Sequence, residues 1–510
     1  MNSIVIVTAL GVVNFAHRMF LLPANPMGFD SWGHLYFAME VKKQRSGPFR
    51  PLYPRVAGGE AFYYPLFVHW LYGFLPRSLL RGHITLINPT IESLFLMAAL
   101  ALAGAAGLPS ELILAAGALY ILTPLWFSKL AIGPRVLAFT PRLASEVAYP
   151  LALAIVLFDF GLSPAVAVPS AALLLAVILL GSKFGVQVVF FVTPLAAALA
   201  QSWQLALAGL IGLLVAWIGS GGAFGKQLRQ QAAHLAWYFG ELRHGRMYVS
   251  GRNKLSQLLP TSSKLTAAEA RKLVFRWFGY NSFTAVILKA PHLPLTAILA
   301  IAYRGALDVP QALWAPVIAA TIVYFLINLP WLLFLGEAER YLSHVSIHSN
   351  LLFAIVCFET GWVALAWLAA AYGLAFTLAE RILLRKPAEA KAEEDARSVI
   401  DHLRNREDHR IVLSFPYGAV TPFRILLDTD HHAVFPLFAG KQHKEAMKAF
   451  DSDLALDLRQ LDEMVRIAGV DFLIIDEAAR REQLPDWQPP AGWRRIDGDF
   501  GDLMLYERVV

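Results

Sequence analysis

Asp30 and His34 stand four residues apart, directly after the first long apolar run of the chain, in the stretch from Gly28 to His34. A carboxylate partly withdrawn from water holds a proton more tightly, so at a membrane boundary it is suited to take one from a hydroxyl group. An imidazole one helical turn further on could orient that carboxylate, touch a phosphate or join a metal site. The same residues also fit a structural role, in which Asp30 or Ser31 caps an interfacial helix from Trp32 to Lys43 whose lysines and Glu40 face water.

Further clusters carry groups able to hold sugars or anions. Later in the same polar stretch Glu60 is followed by Tyr63, Tyr64 and Pro65, rings that suit either an interfacial belt or stacking on a sugar. Arg135 and Arg142 flank Phe139 in a second polar stretch, where a guanidinium can grip phosphate with two prongs or reach out to lipid headgroups. Lys183 stands between two apolar runs, as an interfacial anchor or as a counter-charge for an anion. Glu339, Arg340 and Tyr341 follow a late apolar run. If that segment is helical, Glu337 and Tyr341 share a face, and Glu339 with Arg340 could be a plain surface pair.

The elements that must position these groups follow from composition. Over 510 residues the chain is 57% hydrophobic and 16% charged, more apolar surface than a water-soluble globule can hide. A mean hydropathy of +0.50 agrees. The expectation is a polytopic α-helical membrane protein. Residues 1–20 lack a basic leader and a small-residue cleavage site, so they read as a retained first helix. The single Cys357 excludes a disulfide framework. A net charge of +6, with basic residues interleaved with Trp, Tyr and Phe in the loops, favours anionic lipid or phosphate partners over nucleic acid.

Apolar runs able to cross about 30 Å of hydrocarbon occur near residues 2–21, 91–107, 111–130, 147–162, 166–181, 185–201, 203–219, 291–307 and 311–335. The run 350–384 is long for one helix and short for two, with Glu359, Thr360 and Gly361 as the natural break. That predicts ten or eleven transmembrane helices. The long polar stretches 22–90, 128–146, 220–290 and 336–349 then fall on one side of the membrane and the short turns on the other. Residues 220–290 mix eleven Lys and Arg with ten Phe, Trp and Tyr rings and have helical spacing in parts, as amphipathic helices on headgroups or as a platform for an anionic lipid carrier.

The membrane domain is expected to span 1–384, a charged linker 385–397 and a small soluble α/β domain 398–510. In the last of these, strands are expected at 410–415, 433–438, 472–476 and 503–506, with helices at 441–450 and 454–468 between them. No phosphate loop, metal-ligand spacing or nucleophile elbow occurs there, which suits an accessory or docking role. Ten spans would put this domain opposite Asp30, and eleven beside it.

Taken together, the Phe-Asp-Ser-x-Gly-His-Leu motif at Phe29 to Leu35, the Tyr63, Tyr64, Pro65, Leu66 run, the Arg-bearing second loop and Gly336 to Leu342 resemble the GT-C superfamily of polytopic glycosyltransferases. The resemblance implies a fold of that type over residues 1 to about 350. It also implies transfer of a sugar from a polyprenyl phosphate or diphosphate to an envelope glycan, lipid or protein acceptor at the extracytoplasmic face of a bacterial inner (plasma) membrane. The family's first-loop acidic residue maps onto Asp30, which would be general base in an inverting displacement. The late segment maps onto Glu339, Arg340 and Tyr341. Ser31 follows Asp30 where the family commonly has a second acidic residue, so no cofactor is expected, and a divalent metal is allowed but not indicated. Two other classes fit the same loops, a transporter or flippase for a lipid-linked or anionic solute and a non-catalytic assembly protein of a polysaccharide pathway. The first would be expected to show an internal repeat or broken spans, which the sequence lacks.

Overall fold

A computed structural model describes residues 3–21, 29–45, 47–128, 139–243, 252–254, 258–259, 266–383, 388–406, 408–415, 419–435, 461–483, 485–489 and 491–509. The chain starts with α1 (Ser3–Leu21), followed by three short helices of the first polar stretch, α2 (Phe29–Lys43), α3 (Phe67–Gly73) and α4 (Arg77–Gly82). Next come α5 (Ile87–Ala105), α6 (Ser110–Leu122), α7 (Pro124–Phe127), α8 (Pro141–Leu157), α9 (Pro164–Gly181), α10 (Lys183–Leu199) and α11 (Trp203–Gly219). The stretch 220–290 folds mainly into α12 (Ala223–Arg243), α13 (Ala267–Phe275) and α14 (Ser282–Lys289). The bundle closes with α15 (His292–Ala302), α16 (Gln311–Ile327), α17 (Glu339–Ser343), α18 (Ser346–Glu359) and α19 (Val363–Leu383).

Two apolar cores hold the bundle. One joins α8, α9, α10, α11 and α16, and the other joins α1, α5, α6, α18 and α19. Large apolar side chains such as Ile4, Leu173, Leu210, Ile218, Ile301 and Leu368 face outward instead, as expected of helices surrounded by lipid. Among the described residues, four helical segments are long and apolar enough to cross a membrane alone, or up to six if each of two bent pairs is one span. Two helix pairs are sharply bent, α11 into α12 by 106° and α14 into α15 by 79°. The first of these bends turns the basic, aromatic α12 away from the apolar helix before it.

The last apolar run divides at the expected place. α18 ends at Glu359, Gly361 adopts φ +76°, a conformation that strains any side chain, and α19 starts at Val363. The Glu359 carboxylate accepts the Asp308 N–H at 3.1 Å, so it sits in a turn rather than in a helix interior. Arg142 and Glu146, expected in a loop, belong to the first turns of α8. Thr140 caps that helix by accepting the Arg142 N–H and Pro141 opens it, a start signal that hydropathy alone overlooks.

The C-terminal region contains α20 (Ala388–Arg404), β1 (Ile411–Phe415), α21 (Pro422–Asp428), β2 (His432–Ala433), α22 (Leu461–Ala468), β3 (Phe472–Asp476), α23 (Glu477–Gln483), β4 (Trp493–Arg495) and β5 (Leu503–Arg508). The sheet order is β2-β1-β3-β5-β4, with β1 parallel to β2 and β3, and β5 antiparallel to β3 and β4. The mixed sheet expected from the alternating pattern is present. β4 and α21 were not foreseen, β2 ends at Ala433, and the expected helix 441–450 lies outside the described residues. Ala396, near the end of the expected linker, packs into the core of this domain with Val399, Ile400 and Leu403 of the same helix α20.

That core also takes in Tyr36, Phe37 and Val41 of α2 and Leu52, Val56 and Leu66 of the first polar stretch. The C-terminal domain therefore sits on the face of the bundle that carries Asp30. A parallel bridge between Val56 and Ala433 extends its sheet edge with a segment of the first loop.

Candidate functional site

Asp30 lies inside the first turn of α2, not at its cap as the structural reading had it. A carboxylate there is favoured by the positive end of the helix dipole. Asp30 is exposed, while Ser31 behind it is fully buried. One turn on, His34 Nδ1 lies 3.1 Å from Nε2 of His69 on α3. Burial lowers the His34 pKa to about 4, with the nearby Asp30 charge opposing the shift. Burial and the neighbouring His34 push His69 well below its ordinary value. Both rings are thus neutral near pH 7 and linked to each other, so His34 is a brace for α2 against α3 rather than a free acid.

Tyr64 completes this corner. Its ring packs against Phe37 and Phe62 at 5.2 and 5.6 Å. Burial raises the pKa of its hydroxyl, the Asp30 charge raises it further, and Arg340 opposes both. A carboxylate from α2 and a guanidinium from α17 therefore act on one phenol. Tyr63 instead turns toward α12, where its N–H donates to Gln230 Oε1 at 2.6 Å and its ring lies 5.2 Å from Lys226 Nζ. Glu60 is exposed and joins no hydrogen bond or ion pair among the described residues.

Arg340 and Arg142 meet over one ring. The guanidinium carbons lie 4.0 and 5.5 Å from the centre of Phe184. Arg340 pairs with Glu337, and Arg142 Nε donates to Glu146 Oε1 at 3.0 Å. Arg340 keeps a buried Nε–H with no partner among the described residues. His344, one turn after Arg340, has Nδ1 2.9 Å from the Arg340 carbonyl and Nε2 3.1 Å from Ser145 Oγ.

Glu339 and Arg340 do not form the surface pair that adjacency suggested. Glu339 turns to Arg252, whose Nη2 donates to Oε1 at 2.7 Å. Burial would raise the Glu339 carboxyl, but Arg252 overrides it and holds the group below the usual carboxylate range. The buried Lys289 lies within electrostatic reach of Glu339, Arg252 and Glu380. Tyr341 is directed elsewhere, donating to Gln187 Oε1 at 3.0 Å within the bundle core, and does not share a helical face with Glu337, which precedes α17. Lys183 starts α10 after the capping Ser182, and its carbonyl accepts from Gln231 of α12. Arg135 lies outside the described residues.

The fold thus unites Asp30, His34, Tyr64, Arg142 and Arg340 along one side of the bundle. It leaves Glu60 and Tyr341 out of that group. Four participants escaped the sequence reading as candidates: His69, Phe184, His344 and Lys289. Only His344 had a local signal, its helical spacing of four from Arg340.

No protein-family model matches the chain, and no curated protein matches it in sequence. Solved structures do. The oligosaccharyltransferase of Archaeoglobus fulgidus, in the apo form, superposes with a TM-score of 0.55 at 13% identity, covering 94% of this chain and 70% of that one. ArnT from Cupriavidus metallidurans, bound to undecaprenyl phosphate, gives 0.55 at 11% identity over 98% of this chain and 97% of that one. The chain shares the fold of these two solved structures. The ArnT match spans both chains almost entirely, so the likeness in fold extends through the C-terminal domain as well as the bundle. A further structure of the Archaeoglobus enzyme is a complex with Zn and sulfate (TM-score 0.54, 12% identity, 93% and 68% covered). Among the described residues here, no group of three His, Cys, Asp or Glu side chains gathers as a metal site.

Proposed function

We propose that this GT-C-fold protein is a membrane glycosyltransferase that moves a sugar from a polyprenyl-phosphate carrier to an envelope acceptor at the extracytoplasmic face of the inner membrane. The observation that carries the reading is the arrangement around Tyr64 and Phe184. Two guanidinium groups lie over the Phe184 ring, one of them with a buried N–H that has no partner among the described residues, and the exposed Asp30 carboxylate and Arg340 both lie within electrostatic reach of Tyr64. Asp30 takes the proton of the acceptor hydroxyl as that oxygen attacks the anomeric carbon. The bond from this carbon to the phosphate oxygen breaks, and its electron pair leaves with the phosphate. Arg340 and Arg142 hold the departing charge, and a buried guanidinium with a free N–H suits a phosphate oxygen because the new hydrogen bond ends its desolvation cost. One displacement inverts the anomeric centre. An eleven-span count, with the turn after Glu359 between two spans, would put the C-terminal domain on the same side as Asp30.

The test is to reconstitute the wild type and Asp30→Asn in nanodiscs and measure undecaprenyl phosphate release from bacterial lipid-linked sugars with envelope extract as acceptor. Loss of about a hundredfold or more in the variant is expected. Equal release by both removes Asp30 as the base, and binding of undecaprenyl phosphate without turnover in either would favour transport.

A further inference from the structure

α2 is held between two bodies. Leu35 and Ala38 pack on Val68 and Tyr72 of α3, toward the membrane domain. Trp32, Gly33, Tyr36 and Phe37 meet α21 of the C-terminal domain. Phe423, 4% exposed, has its ring 6.1 Å from Tyr36 and 5.9 Å from Phe37. The Arg424 guanidinium lies 5.2 Å from the Trp32 ring and pairs with Glu393 of α20 at 2.9 Å.

The contact at Gly33 is the tightest of these. A Cβ added there would stand 2.8 Å from Phe423 Cε2 and 3.0 Å from Cζ, closer than carbon atoms approach. A glycine inside a helix costs about 1 kcal/mol relative to alanine. Its presence one turn from Asp30 is what lets the Phe423 ring reach the α2 backbone. α21 is in turn fixed to the first loop. Arg55 donates to the carbonyls of Leu426 and Thr429 at the C-terminal end of α21, and Arg81 pairs with Asp428 at 3.3 Å. Cations at that end also complement the helix dipole.

Building on the role proposed for Asp30, we infer that Phe423 is a positioning residue: seated in the notch at Gly33, it sets the placement of α2 and so of the Asp30 carboxylate. The C-terminal domain is thereby part of the catalytic apparatus without touching substrate. Displacement of a reacting group by about 1 Å can cost about a hundredfold in rate, so a loosened or overfilled notch acts on turnover rather than on carrier affinity.

The experiment uses the full-length protein in nanodiscs with Phe423→Ala, Gly33→Ala and the combination Gly33→Ala with Phe423→Leu, which removes the ring atoms the new methyl would strike. Turnover, undecaprenyl phosphate affinity and amide hydrogen exchange are read for each. Both single variants are expected to lose about ten- to a hundredfold in turnover, with unchanged affinity for undecaprenyl phosphate. Exchange should be faster in α2 while α8 and α10 are undisturbed, and the combination should recover most of the loss. Unaltered turnover and α2 exchange in both single variants would overturn the inference, as would a combination worse than either. If Asp30→Asn kept full turnover, the reading of Asp30 would fall, whereas faster α2 exchange in Phe423→Ala would still show the notch holding the helix.

Discussion

The guanidinium of Arg340 lies 4.0 Å from the centre of the Phe184 ring, although the two residues come from α17 and α10. Stacking fixes the plane of the cation, and pairing with Glu337 leaves its Nε–H buried with no partner among the described residues. Lysine keeps the charge but has neither the plane nor the fork. Arg340→Lys should therefore weaken binding of undecaprenyl phosphate by about tenfold, measured by titrating the lipid into protein in nanodiscs. Equal binding would mean that only the charge matters.

Glu339 and Arg252 are both largely buried, at 14% and 1% side-chain exposure. Arg252→Ala strands a carboxylate away from water and should destabilise the protein by about 3–5 kcal/mol, whereas Arg252→Met with Glu339→Gln should recover most of that. Thermal unfolding in detergent compares the two. A single variant as stable as the wild type would show that water or Lys289 compensates.

The histidine pair makes α2 sensitive to acid. His34 titrates near pH 4 when folded, below its ordinary 6.5, so the unfolded chain takes up the proton first. The stability due to the neutral pair is complete above about pH 6.5, falls as pH drops from there, and is lost by about pH 4. His69, lowered in the same direction, adds to the slope. Unfolding temperatures at pH 7.5 and 5 should differ by less in His34→Gln than in the wild type.

Arg18 and Glu92 anchor α1 to α5 with bonds of 3.0 and 2.9 Å, each side chain 1% exposed. Arg18 also donates to the Ile121 carbonyl at the end of α6. Glu92→Gln leaves a buried cation and should cost about 3–5 kcal/mol, visible as lower yield and a lower unfolding temperature. Arg18→Met combined with Glu92→Leu should behave nearly as the wild type does.

Local pattern carried a good part of this protein. Hydropathy identified the apolar helices, the carboxylate at Glu359 marked the break between α18 and α19, and alternation of strand and helix announced the mixed C-terminal sheet. The helical spacing of Asp30 and His34 was also readable, because both lie within one turn of the same helix after the first apolar run. Those features depend on residues within one or two turns of each other.

Which of the candidates meet was decided in three dimensions. Helices such as α6 and α9 are apolar on every side, so periodicity does not say which face turns inward, and their rotation is set by packing against neighbours. That is why Phe184 could not be foreseen between Arg142 and Arg340, and why Glu339 chose Arg252 over its own neighbour. The place of the C-terminal domain on α2 is of the same kind. The sequence alone established a bundle of apolar helices with an acid just after the first of them; tertiary packing decided what holds the helix that carries this acid, because long-range burial selects among pairings that local chemistry leaves equivalent.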